Sequence, residues 1–84
     1  MALHLIFSPA GYAACAAVKE DSDQILLLGD GVYQLPTADE ALYFLQEDAE
    51  QRGLHELPAQ HRGINYDQMV ELITQNHPVA SWQR

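Results

Sequence analysis

Ile25-Leu26-Leu27-Leu28 is an unbroken apolar run, preceded by Gln24 and stopped by Gly29-Asp30-Gly31. A run of this length between turn-forming residues predicts a strand buried on both faces. Such strands belong to parallel sheets with helices on either side. The Gly-Asp-Gly turn then falls at the carboxyl end of a central strand, where open α/β sheets place ligands and chemistry. The rest of the chain reads as built around this strand.

Upstream, Leu3-His4-Leu5-Ile6-Phe7 predicts a first strand ended by Ser8-Pro9. Ser8 suits a helix cap and Pro9 the first turn. Ala10 to Lys19, with five alanines, follows as a helix, and Tyr12, Cys15 and Ala16 share one face by their i, i+3, i+4 spacing. Lys19 to Asp23 is a charged turn. Together these form a βαβ unit, for which a right-handed crossover is expected.

Downstream, Val32-Tyr33-Gln34-Leu35 either extends the central strand or begins a loop, and Pro36-Thr37 breaks it. From 38 to 50 two readings stand. Thr37-x-x-Glu40 has the form of a capping box, followed by apolar Ala41, Leu42, Phe44 and Leu45. Alternatively Ala41 to Leu45 is a strand and Glu47 to Arg52 a helix closed by Gly53. Leu54 to Arg62 reads as an exposed loop carrying His55 and His61. Gly63 to Tyr66 is a brief strand. Asp67 caps a helix with an apolar stripe at Met69, Val70, Leu72 and Ile73, ended by Asn76-His77-Pro78. Val79 to Trp82 is a last strand or a tail.

The expected fold is therefore a single α/β domain over residues 1–84, with a short, mostly parallel sheet of about four strands between helical layers. A chain of 84 residues buries only about 60–65% of its unfolded surface. Its one cysteine forms no internal disulfide, yet 48% of its residues are hydrophobic. That combination favours an oligomer. With a net charge of −8, and Lys19, Arg52, Arg62 and Arg84 forming no cluster, binding to nucleic acid by phosphate neutralisation is not expected. Met1-Ala2-Leu3-His4 has no positive signal-peptide region, and no apolar run reaches membrane-span length. An unpaired cysteine suits a reducing compartment, so the expected location is the cytoplasm.

Cys15 is the one candidate nucleophile. It is either a small buried hydrophobe or a thiol that carries sulfur as a persulfide, which needs no cofactor. Ser8 begins the helix about two turns earlier, so the helix dipole helps Cys15 little. No second cysteine allows an internal disulfide cycle. Gly29-Asp30-Gly31 is a turn, or a backbone nest or docking feature, and matches no phosphate-loop pattern. His4, His55, His61 and His77 lack zinc-ligand spacing, and no metal is expected. His4 reads as a satisfied core or interface residue, His55 and His61 as exposed, and Trp82 as an anchor.

Four stretches together resemble the TusB/DsrH family of DsrE/F/H-like sulfur-relay proteins, over nearly the whole chain. They are Leu3-His4 with Ser8-Pro9; Ile25 through Gly29-Asp30-Gly31-Val32; Leu42-Tyr43-Phe44-Leu45-Gln46-Glu47-Asp48 with Arg52-Gly53-Leu54; and Asn65-Tyr66-Asp67 through Val70, Leu72 and Thr74 to His77-Pro78 and Ser81-Trp82. The resemblance, closest to TusB, implies a DsrE/F/H-like domain in which Ala41 to Leu45 is a strand and Glu47 to Arg52 a helix. It implies one subunit of a heterohexamer with TusC-like and TusD-like chains, taking persulfide sulfur from a TusA-like donor and passing it to a TusE-like acceptor. In that branch the sulfur ends as 2-thiouridine at the tRNA wobble position; in the DsrH branch it enters sulfur oxidation. Cys15 matches the cysteine position of the DsrH branch as a sulfur carrier, while the principal carrying cysteine belongs to the TusD-like chain. The alternatives are a non-catalytic interaction subunit, a regulatory domain of the same fold, and a stand-alone cysteine enzyme. Compared with the family, the opening strand, the segment before Cys15 and the region Pro36–Glu40 are shortened. At the last of these other members carry a helix, so one sheet face is expected to be less covered.

Overall fold

The apolar run does become the middle of the sheet. In the computed structural model, which describes residues 2–83, strand β2 (Gln24–Leu27) is flanked by β1 (Leu3–Ile6) and β3 (Tyr43–Leu45). β4 (Arg62–Ile64) and β5 (Val79–Trp82) form the edges, giving the order β4-β3-β2-β1-β5 with every pair parallel. The sheet thus has five strands, one more than expected, because Val79 to Trp82 pairs with β1 rather than trailing away. Readings that involve Met1 and Arg84 lie outside the described residues.

Alternation along the strands divides the core into two layers. Ile6, Ile25, Leu27 and Phe44 face helices α1 (Pro9–Ala16) and α2 (Gln46–Gln51), and pack with Cys15, Val32, Leu35, Leu42 and Ala49. Leu3, Leu26, Leu28, Leu45 and Ile64 face the other way, toward Met69, Leu72 and Ile73 of α3 (Tyr66–Gln75).

Several local expectations shift. Helix α1 ends at Ala16, three residues before Lys19, and Ala16 is exposed while Cys15 is buried. Ser8 caps it as expected, its Oγ accepting from the Gly11 N–H at 3.0 Å. Residues 29–34 neither extend β2 nor form an open loop; they make a 3-10 helix. In the ambiguous middle the strand reading prevails, over Tyr43–Leu45 only, and Thr37 caps nothing: its hydroxyl donates back to the Gln34 carbonyl. Gly53 closes α2 at φ +72°, with Gly53 N–H bonded to Glu50 O and Leu54 N–H to Ala49 O, the paired bonds of a Schellman motif. Asn65, not Asp67, caps α3. Gln68 stands three residues after Asn65 and returns the bond to its N–H, which makes a reciprocal capping box.

The absent helix at 36–40 does not bare the sheet. The 3-10 helix and the loop after it place Val32, Leu35, Ala38 and Leu42 into the space, all buried. The thinner cover lies on the opposite face, where α3 has no fully buried residue and leaves Tyr66 and Val70 more than half exposed.

Candidate functional site

The chain runs outward from β1 through β2 and β3 to β4, then returns to lay β5 on the far side of β1. The order therefore reverses between β1 and β5, and the carboxyl ends at such a switch point form the natural crevice of an open α/β sheet. A shallow cavity of about 510 Å³ lies there, lined by Phe7 and Ser8 after β1, Asp30 after β2, and Gln83 after β5.

The crevice walls are held by backbone and charge. Phe7 N–H bonds Trp82 O at 3.2 Å, and Leu28 N–H bonds Ile6 O at 2.9 Å. Gly31 lies so close to the end of β1 that a side chain there would strike the Ile6 carbonyl. Asp48 on α2 accepts the Gly29 N–H at 2.7 Å. Arg52 donates from Nε and Nη2 to Asp30 Oδ1, both at 3.1 Å, and from Nη1 to the Asp48 carbonyl. Its guanidinium stands 5.9 Å from the Tyr33 ring centroid. Asp30 is mostly exposed, so the pair contributes at most about 1 kcal/mol; its effect is to fix the orientation of the 3-10 helix against α2.

The Gly-Asp-Gly turn is not an open nest. Gly29 N–H is engaged by Asp48 and Gly31 N–H by Leu28 O. The visible sequence signal for Asp48 and Arg52 is their i, i+4 spacing just before Gly53, which marks a helix-end pair. The structure brings Ser8, Asp30, Asp48 and Arg52, from three separate stretches, to one edge.

Cys15 is not brought there. It lies seven residues past Ser8, roughly 10 Å along the helix axis, with its side chain fully buried among Ile6, Leu27 and Val32. Burial pushes its thiol up to about 11. The Lys19 cation opposes that shift and the Glu40 and Asp23 carboxylates add to it. At neutral pH the sulfur is a protonated, enclosed thiol.

Among the histidines, His55 and His77 are exposed, but His61 is buried, contrary to expectation. It is drawn inward because Nε2 donates to the Leu35 carbonyl at 3.1 Å, closing the loop over the core; its Nδ1 has no partner. His4 is buried and satisfied on both ring nitrogens, by Asp23 at 2.9 Å and by the Trp82 indole at 3.1 Å. Among the described residues, no group of three or more His, Cys, Asp or Glu could hold a metal ion, and no helix is long and apolar enough to cross a membrane.

Asp23 ties the amino edge together. Its carboxylate accepts from His4 Nε2 and from the N–H groups of Ala2 and Glu20. These bonds, the one from His4 foremost, hold its pKa well below the usual carboxylate range. A group whose pKa is depressed in the fold stabilises it fully above the unfolded value, near pH 4, and progressively less as pH falls below that. Asp23→Asn is therefore expected to lower the denaturation midpoint at pH 7. The gap to the parent should narrow near pH 3; a constant gap in urea titrations at the two pH values would refute the assignment.

The family model described as DsrH like protein matches residues 7–79 of the chain. No curated protein matches it significantly.

Proposed function

Because the chain belongs to the DsrH-like family of sulfur-relay proteins, we propose that it is the TusB-like subunit of a cytoplasmic sulfurtransferase complex that delivers sulfur for 2-thiouridine at the tRNA wobble position. Members of this family typically act in complexes with partner subunits. The partners here are TusC-like and TusD-like chains in a heterohexamer, a TusA-like donor and a TusE-like acceptor. The observation that carries the reading is the family match across nearly the whole chain. The thinly covered α3 face supports burial against a partner.

The reaction is trans-persulfidation. An acceptor thiolate attacks the outer sulfur of a donor persulfide; a new S–S bond forms to the acceptor, the donor's S–S bond breaks, and the donor leaves as its thiolate. No electrons are gained or lost overall, and the transferred sulfur keeps its proton.

Cys15 is the one thiol this chain offers as a carrier. Its burial and raised pKa favour the reading in which this subunit shapes a partner's site and the partner's cysteine bears the persulfide. A carrying role for Cys15 requires the last turn of α1 to open.

The test is the native mass of the assembly recovered from source cells through a tag on this chain, together with wobble-uridine thiolation in cells bearing Cys15→Ala. Two further chains of similar size in equal amounts, at a hexamer's mass, are expected, with thiolation unchanged by the substitution. A bare monomer or homodimer would overturn the relay reading. Loss of thiolation in an intact complex would make Cys15 the carrier.

A further inference from the structure

We propose that His4 and Trp82 form a proton-sensitive latch that fastens edge strand β5, and with it one wall of the carboxyl-edge crevice, to the sheet. This inference does not rest on the sulfur-relay reading.

The argument begins with the indole, which can only donate. Its Nε1–H reaches His4 Nδ1 at 3.1 Å, so Nδ1 must carry the lone pair. The ring proton then resides on Nε2, which donates to Asp23 Oδ2 at 2.9 Å. The bond network fixes one neutral tautomer of His4. A proton added to Nδ1 turns the acceptor into a second donor, and two N–H groups then point at each other. The two rings are tilted 45° with centroids 6.0 Å apart. The N–H contact sets the imidazole against the positive rim of the indole, so a charged imidazole gains no attraction from the ring face there. Meanwhile the His4–Asp23 contact becomes a full ion pair. Protonation thus exchanges a bond to β5 for a stronger bond to the loop before β2.

The surroundings leave His4 as the group that changes. Asp23 faces it from the loop after α1. On the same layer α1 packs Tyr12 and Cys15, both protonated near neutral pH, with burial pushing each pKa further up. Strand β2 contributes no titratable side chain, and β5 brings only the indole. Beyond these, Lys19 pairs with Glu40 Oε2 at 3.3 Å, and Glu40 Oε1 is buried without a partner.

Strand β5 depends on this contact more than an inner strand would. It pairs with β1 alone. Trp82 is its one side chain packed against the core, with Val79 and Ser81 exposed. Gln83, the residue after it, lines the crevice, and the Trp82 carbonyl binds Phe7, which lines it too. Gly11 of α1 leaves no room for a side chain beneath that carbonyl: a Cβ there would stand 2.9 Å from the oxygen. Loosening Trp82 therefore loosens the crevice.

The full chain has a single tryptophan, so it gives one indole N–H resonance. In a pH titration by NMR, that resonance is expected to shift in one step toward a non-bonded position, at the same midpoint as the ring protons of His4. In His4→Gln, whose amide offers one acceptor and one donor but does not titrate, the step should vanish while the neutral-pH shift stays near the parent's. An indole resonance unmoved across the His4 midpoint, or an identical step in the variant, would overturn the latch. Should the variant fail to fold, the two midpoints in the parent protein decide the matter by themselves.

Discussion

Leu27→Ala is expected to destabilise the domain by about 2–5 kcal/mol, the range for removing a fully buried leucine from a packed core. Leu27 has no exposed surface and sits in the central strand, paired with Ile6 on one side and Phe44 on the other. Its side chain enters the layer that also holds Cys15, Val32 and Leu35, where rigid neighbours limit collapse of the cavity. A domain of this size has roughly 4–13 kcal/mol in all, at the usual stability per residue. The substitution therefore removes a large share of it and lowers Tm by about 10 °C or more. Thermal and urea denaturation followed by circular dichroism measure this. Val70→Ala, on the exposed side of α3, is the control and should stay within about 0.5 kcal/mol of the parent. Equal effects at the two positions would contradict the layer assignment.

Gly31→Ala is expected to cost about 1–3 kcal/mol or more and to distort the crevice. The added methyl meets the Ile6 carbonyl oxygen, with the carbonyl carbon at 3.0 Å and the Ser8 nitrogen at 3.4 Å. These are backbone atoms at the end of β1 and cannot swing aside as a side-chain tip would. Relief requires the 3-10 helix to move off β1. That movement strains the Leu28–Ile6 bond and carries Asp30 away from its place in the cavity wall. Gly29→Ala provides the contrast. Its φ of +51° is strained for alanine, but no atom lies within 4 Å of the new Cβ, so it should cost only about 1–2 kcal/mol and leave β1 in place. Denaturation midpoints of the two variants, and their recovery in the native assembly, check the ordering. Amide signals of β1 left as undisturbed by Gly31→Ala as by Gly29→Ala would refute the close approach.

Much of the candidate edge was legible from short stretches. Ser8-Pro9 starts a helix wherever it occurs before an alanine-rich run, because the hydroxyl answers an orphan N–H and proline needs no donor at that position. Gly53 ends one because the left-handed conformation carries little penalty for it. The middle of the chain was different. Ala41 to Leu45 satisfies both a helical and a strand pattern, and only the shelter of β2 and β4 on either side makes Tyr43–Leu45 a strand. The choice of Asn65 over Asp67 as a cap turned on Gln68, a partner that the stripe of apolar residues did not reveal.

The amino-acid sequence by itself determined the layered α/β fold, the central strand and the family. Those rest on apolar periodicity, on turn residues with fixed backbone preferences, and on motif order, all of which act between neighbours in the chain. Only the tertiary structure decided that His61 turns inward to Leu35, that Cys15 is enclosed rather than presented, and that Arg52 answers Asp30 across 22 positions. It alone joined His4 to Trp82, 78 residues away. Each of these depends on which strands become neighbours. The sheet order is set by the summed burial of both faces, and no local stretch carries that sum.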